Sequence, residues 1–253
     1  MSFARHRRTS YLAVAVAVSL GLSACASNTS DTKAKPGASS SSSAVEKGNS
    51  ASALFQQLRR SSAAAKSVRI KGSITNGATT TSKAMTVKVD IAGDRAGKNL
   101  RAMVNDGTGA IEILTVGGQT YLKADTAYWT KNGTAAIAKQ AAGKYIKVPA
   151  ASAAGMSDLT VGKLLDQIFA KDISTEGKLN TTVTKTEVNG APAYLMTTKA
   201  DATKIYVSAD GQTRLLRVEG PKGQLGSLDF TEWDAVAPVS APPANQLTTI
   251  PGL

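Results

Sequence analysis

From Ala51 to Lys66 the apolar positions Leu54, Phe55, Leu58 and Ala65 share one helical face, opposite Gln57 and Arg60, and the spacing predicts an amphipathic helix. After Lys66 the period changes from 3.6 to 2, the signature of strands. Val68-Ile70 and Met85-Val87-Val89-Ile91 alternate, and the turn Asp94 to Gly97 leads into a run holding Leu100, Ala102 and Val104. Asn105-Asp106-Gly107 turns into Ile111-Glu112-Ile113-Leu114, and Gly117-Gly118 turns into Tyr121-Leu122, as consecutive antiparallel hairpins require. Residues 131–143 are Ala-rich and predict one short helix, and 144–149 an edge segment closed by Pro149. Ser157 and Asp158 are caps for a second amphipathic helix carrying Leu159, Leu164, Leu165, Ile168 and Phe169. Strands resume at 179–188, 191–199, 203–208, 213–219 and 225–233, with turns at Asn189-Gly190 and Asp210-Gly211; the tail 235–253 holds four prolines and reads as coil. The predicted fold class is α+β: one mostly antiparallel sheet of eight to eleven strands, curled like a half-open barrel, with two or three helices over its concave face. Residues 51–253 are read as one domain.

The first 50 residues follow another pattern. Arg5, His6, Arg7 and Arg8 precede an apolar run from Tyr11 to Leu22, too short for the roughly 20 residues that span a bilayer but suited to a signal peptide. Leu22-Ser23-Ala24-Cys25 then resembles the lipobox of bacterial lipoproteins. In that motif the small residues admit the signal peptidase, and the thiol forms the thioether to a diacylglyceryl group. Residues 1–24 are thus expected to be cleaved and Cys25 to carry the acyl chains, a stable anchor because it supplies more than one chain. Arg7-Arg8 hints at twin-arginine export, but Tyr11-Leu12 sits one residue late, and Sec export is the plainer reading. Residues 26–50, with serine at all of 39–43 and Val45 as the one large aliphatic, have no core and read as a flexible tether. The domain is expected on the outer face of the cell membrane.

Composition excludes much chemistry. Cys25 is the only cysteine of the 253 residues, so no intramolecular disulfide forms. The only histidine is His6, and it leaves with the signal peptide, taking with it Ser-His-Asp and Cys-His catalysis and His-ligated metals. Cleavage removes Arg5, Arg7 and Arg8 and no acid, lowering the net charge from +12 to +9. A basic exported protein suits anionic partners such as phospholipid headgroups, acidic glycolipids or cell-wall polymers. Nucleic acid is in the wrong compartment, and 12 aromatics are few for base stacking. Gly162-Lys163 is no phosphate loop, because Ser157 replaces its first glycine and Leu164 the magnesium-binding hydroxyl. Ser30-Asp31-Thr32-Lys33 lies in the tether without a Lys-Thr-Gly partner. No calcium loop is present, and neither a cofactor nor an enzymatic activity is expected.

The apolar helix faces leave two readings open. They seal a solid core, or, because Ala, Gly, Ser and Thr dominate over bulky aromatics, they roof a volume lined with aliphatics that suits acyl chains.

Lipobox, Ser-rich tether, first amphipathic helix, successive hairpins and mid-chain helices together resemble the LppX/LprG-type lipoproteins, relatives of the LolA/LolB lipoprotein carriers. Tyr145-Ile146-Lys147-Val148-Pro149, Leu159 to Phe169, and Tyr206 to Arg214 carry the local similarity. The resemblance implies a half-open barrel with helices over an apolar cavity, and binding or transfer of acylated lipids or glycolipids by a membrane-anchored monomer. It offers no catalytic residues. From hydrophobicity and position, the expected cavity lining is Leu54, Phe55 and Leu58 from the first helix, Leu164, Leu165, Ile168 and Phe169 from the later one, and Met103, Leu114 and Tyr121 from the strands. The competing expectation, from another class, is a non-catalytic surface module that binds a protein or cell-wall polymer, or that senses the state of the envelope.

Overall fold

The computed structural model describes residues 50–76, 85–153, 160–169, 178–180, 182–221 and 226–250. The predicted signal peptide, Cys25 and all but the last residue of the tether lie outside them. So do the caps expected at Ser157 and Asp158.

Helix α1 (Ala51–Ala64) starts where the Ser50 hydroxyl accepts a hydrogen bond from the Ala53 amide at 3.2 Å. Strands β1 (Ser67–Asn76), β2 (Met85–Asp94), β3 (Asn99–Asn105), β4 (Ala110–Val116), β5 (Gln119–Ala124) and β6 (Tyr145–Lys147) then form a meander. Between β5 and β6 lie α2 (Thr126–Asn132) and α3 (Ala135–Ala141). α4 (Ala150–Ala153) and α5 (Val161–Ile168) precede the second meander, β7 (Thr184–Val188), β8 (Ala191–Thr197), β9 (Lys204–Ser208), β10 (Leu215–Glu219) and β11 (Gly226–Thr231). A last strand, β12 (Leu247–Thr248), follows a single 3-10 turn at Ala244–Gln246.

All twelve strands belong to one unclosed sheet ordered β12-β6-β5-β4-β3-β2-β1-β11-β10-β9-β8-β7. The two meanders therefore meet where β1 pairs antiparallel with β11. That seam needs bare backbone: a Cβ on Gly72 would stand 1.9 Å from the Ser227 carbonyl oxygen, and one on Gly226 2.3 Å from that of Ser73. The tight hairpins β4–β5 and β7–β8 turn on Gly117-Gly118 (φ 58° and 86°) and Asn189-Gly190 (φ 51° and 80°). Positive φ at both central positions is the turn whose twist matches antiparallel strands.

The fold class is the expected one, with local corrections. The sheet has twelve strands rather than eight to eleven, because the tail read as coil supplies β12. This strand pairs in parallel with β6, so β6 is not an edge. Ile250 follows it into the core, and the Gln140 side chain donates to the Thr249 carbonyl oxygen at 2.9 Å. A two-residue strand has no periodicity to detect, and tertiary pairing alone makes it. The single helix expected over 131–143 is two, α2 and α3, which meet at Gly133. Each has its own cap: Asp125 accepts from the Tyr128 amide at 2.8 Å, and Thr134 from the Ile137 amide at 3.3 Å. Pro149 does close the β6 segment, and its carbonyl accepts the Ser152 and Ala153 amides of α4. Among the described residues no helix is long and apolar enough to cross a membrane.

Candidate functional site

The concave face is assembled from alternate residues of neighbouring strands. Ile70 faces Ile91 across β1 and β2, Ala102 faces Ile113 across β3 and β4, and Ile113 faces Leu122 on β5. On the other side of the seam Ile70 opposes Phe230, and Ile205 opposes Met196. All of these are buried in one apolar cluster.

The helices roof this surface. α1 buries Leu54, Phe55 and Leu58, and α5, which lies against β1 and β2, buries Val161 and Leu165. The Phe55 and Phe169 rings, with centroids 5.9 Å apart and tilted by 57°, join the two helices. Leu164 and Ile168 pack at the margin of the cluster, half-buried. At the far edge a separate groove of about 440 Å³ opens between β6 and the tail, lined by Gln119, Ile146, Lys147, Pro149 and Ile250 among others.

Of the ten residues expected to line a cavity, the seven from α1 and the α5 segment sit in the apolar cluster or pack against it. The three on strands do not. Met103 is 42% exposed, Tyr121 is half-buried, and Leu114, although buried, stands outside the cluster. The reason is parity: one residue along a strand reverses the face. Met103 pairs with Glu112, and Leu114 pairs with Tyr121 and Arg101, on the outer surface. Their neighbours Ala102, Val104, Ile113 and Leu122 line the concave side instead. Glu112 carried the signal, since an acid at the centre of Ile111–Leu114 puts the even-numbered positions of β4 outside. Trp129 of α2, also in the cluster, had no such marker.

The outer surface is a charge ladder across the strands. The Arg69 guanidinium grips Asp90 through two bonds of 2.8 and 2.7 Å and reaches Glu232 at 3.0 Å. Arg69 holds the Asp90 carboxyl below the usual carboxylate range. Arg217 meets Asp229 at 2.6 Å, and Lys204 meets Glu219 at 3.0 Å. At the centre of β4 Glu112 is buried, with Arg101 at 2.7 Å, Lys123 at 3.1 Å and the Tyr145 hydroxyl donating at 2.9 Å. Burial alone would raise its pKa, but these three partners outweigh burial and lower it. The Lys123 ammonium also lies 4.7 Å over the Tyr145 ring. Among the described residues no three His, Cys, Asp or Glu side chains gather as a metal site would need.

The arrangement is a large apolar surface packed under helices, with charge kept on the opposite face. No protein-family model matches the chain, and no curated protein matches it. Solved structures do. LprF from Mycobacterium bovis is similar at 16% identity with a TM-score of 0.43, over 76% of this chain and 96% of that one. The Mycobacterium tuberculosis lipoprotein LppX is similar at 11% identity with a TM-score of 0.37, over 75% and 97%. A LolA superfamily protein from Nitrosomonas europaea is similar at 8% identity with a TM-score of 0.25, over 78% and 97%. These are the groups that the sequence resembles.

Proposed function

We propose that this chain is a cell-envelope lipoprotein, anchored to the outer face of the membrane through Cys25, that binds acylated lipids or glycolipids between its concave sheet face and helices α1 and α5. The observation that carries this reading is the roofed concave face, a continuous aliphatic surface joining both meanders. Acyl chains bind such surfaces by the area they remove from water, roughly 25 cal/mol per Å². Leu164 and Ile168, at the margin of the roof, are where a chain first meets the cluster. The +9 mature charge draws an anionic headgroup, and the tether of some 25 residues keeps the site within roughly 25–30 Å of the bilayer. The role is non-catalytic: the protein shields a chain, or passes it on, as a monomer.

Native mass spectrometry tests this on the exported lipoprotein and on a soluble Cys25→Ser form made without residues 1–24. The expected result is a stoichiometric lipid on the exported form that is missing from the soluble one. Two unliganded species of equal domain mass would overturn it and favour a surface module for proteins or cell-wall polymer.

A further inference from the structure

Trp129 has an indole N–H with no hydrogen-bond partner. The residue is 2% exposed, and its Nε1 is closed off from solvent. A donor left this way costs about 1–3 kcal/mol relative to one that is paired, and a phenylalanine would fill an apolar site without that cost. The ring is held by burial in the apolar cluster, on a helix capped at both ends. Asp125 takes the Tyr128 amide at 2.8 Å and the Ala110 amide at 2.9 Å, while the Trp129 carbonyl accepts the Gly133 amide at 2.8 Å. The Tyr128 ring stands edge-on to the indole, with centroids 5.3 Å apart. The other tryptophan shows the ordinary outcome: Trp233 Nε1 donates to the Leu215 carbonyl oxygen at 3.0 Å. Ser62, 0% exposed on α1, also has an unpartnered side-chain oxygen, but a hydroxyl can rotate and both donate and accept. An indole only donates, and only along its ring edge.

We infer that Trp129 is a specificity residue for the bound lipid, donating its indole N–H to the carbonyl oxygen of an acyl ester or amide. This rests on the proposal that acyl chains enter the apolar cluster, to which Trp129 belongs together with Leu58, Ile70 and Leu165. A chain admitted beside Trp129 brings the acceptor that its indole N–H lacks among the described residues. Recognition is then of a carbonyl within an apolar surround, so an alkane fills the site without satisfying Trp129.

With only two tryptophans in the chain, ¹⁵N-indole labelling gives two resonances and an internal control. The exported lipoprotein, stripped of lipid, is titrated with dioleoylphosphatidylglycerol and separately with hexadecane. The expected result is a downfield shift of the Trp129 indole proton with the ester lipid only, and an unmoved Trp233 signal in both. Trp129→Phe is expected to weaken the ester lipid roughly five- to tenfold and to leave hexadecane within about twofold. Saturable binding of the ester lipid with the Trp129 signal unmoved would overturn this inference and leave lipid binding intact. No binding of either probe would overturn both. If Trp129→Phe does not fold, the wild-type spectra alone decide.

Discussion

The two faces of the sheet are built from the same strands but do opposite work. On the concave side Val68, Ile70, Ile91, Ala102 and Ile113 are all buried, and no ion pair is needed to hold them. On the convex side the same strands carry Arg69, Asp90, Arg101 and Glu112, joined in two pairs by bonds of 2.7–2.8 Å. The concave face gains its stability from area removed from water, which is non-directional. The convex face gains from directional contacts between paired strands. Among the described residues two buried side-chain polar atoms lack a partner, Ser62 Oγ on α1 and Trp129 Nε1 on α2.

Substitutions can break that comparison in order of effect. Ala102→Asp puts an unpaired charge at a fully buried concave position, and it is expected to prevent folding, read as loss of the cooperative thermal transition. Phe55→Ala removes the ring that joins α1 to Phe169, with an expected loss of about 3–5 kcal/mol in denaturant unfolding. Glu112→Ala acts on the convex face, unpairing Arg101, Lys123 and the Tyr145 hydroxyl; because both cations reach solvent, the expected loss is about 1–3 kcal/mol. Met103→Lys lies one residue from Ala102 but on the exposed surface, between Glu112 and Asp90 on the neighbouring strands, and is expected to change stability by no more than about 0.5 kcal/mol. Similar losses at positions 102 and 103 would refute the assignment of faces.

Acid sharpens the same contrast. The Glu112 carboxyl titrates lower in the folded chain than in the unfolded one, where its pKa is about 4.3. Its contribution is therefore complete above about pH 4.3 and is lost as pH falls through the folded value. Unfolding followed from pH 7 to pH 2 is expected to show a smaller acid-induced loss in Glu112→Gln than in the parent. Phe55→Leu, which alters only apolar packing, is expected to keep the parent's pH dependence.

Much of this was legible in the chain. Alternation placed nearly every strand, Gly117-Gly118 and Asn189-Gly190 marked two hairpins, and the 3.6-residue spacing of Leu54, Phe55 and Leu58 picked out the helix face that is buried. The strand contribution to the site was less legible. Ile111-Glu112-Ile113-Leu114 and Tyr121-Leu122 offer large apolar side chains on both parities, so hydrophobicity alone does not choose between faces. The pairing of Leu114 with Tyr121 and Arg101 makes that choice.

What the sequence determined by itself is local: helix faces, strand periods, turns that need φ above zero, and the absence of an intramolecular disulfide in a chain with one cysteine. Each follows from residues close together in the chain. What only the tertiary structure decided is who lies opposite whom. The β1–β11 seam joins residues some 150 positions apart through Gly72 and Gly226, β12 exists because β6 leaves an edge open, and the buried Trp129 indole N–H has no partner among the described residues. Those facts depend on distances in space, which no periodicity along the chain encodes.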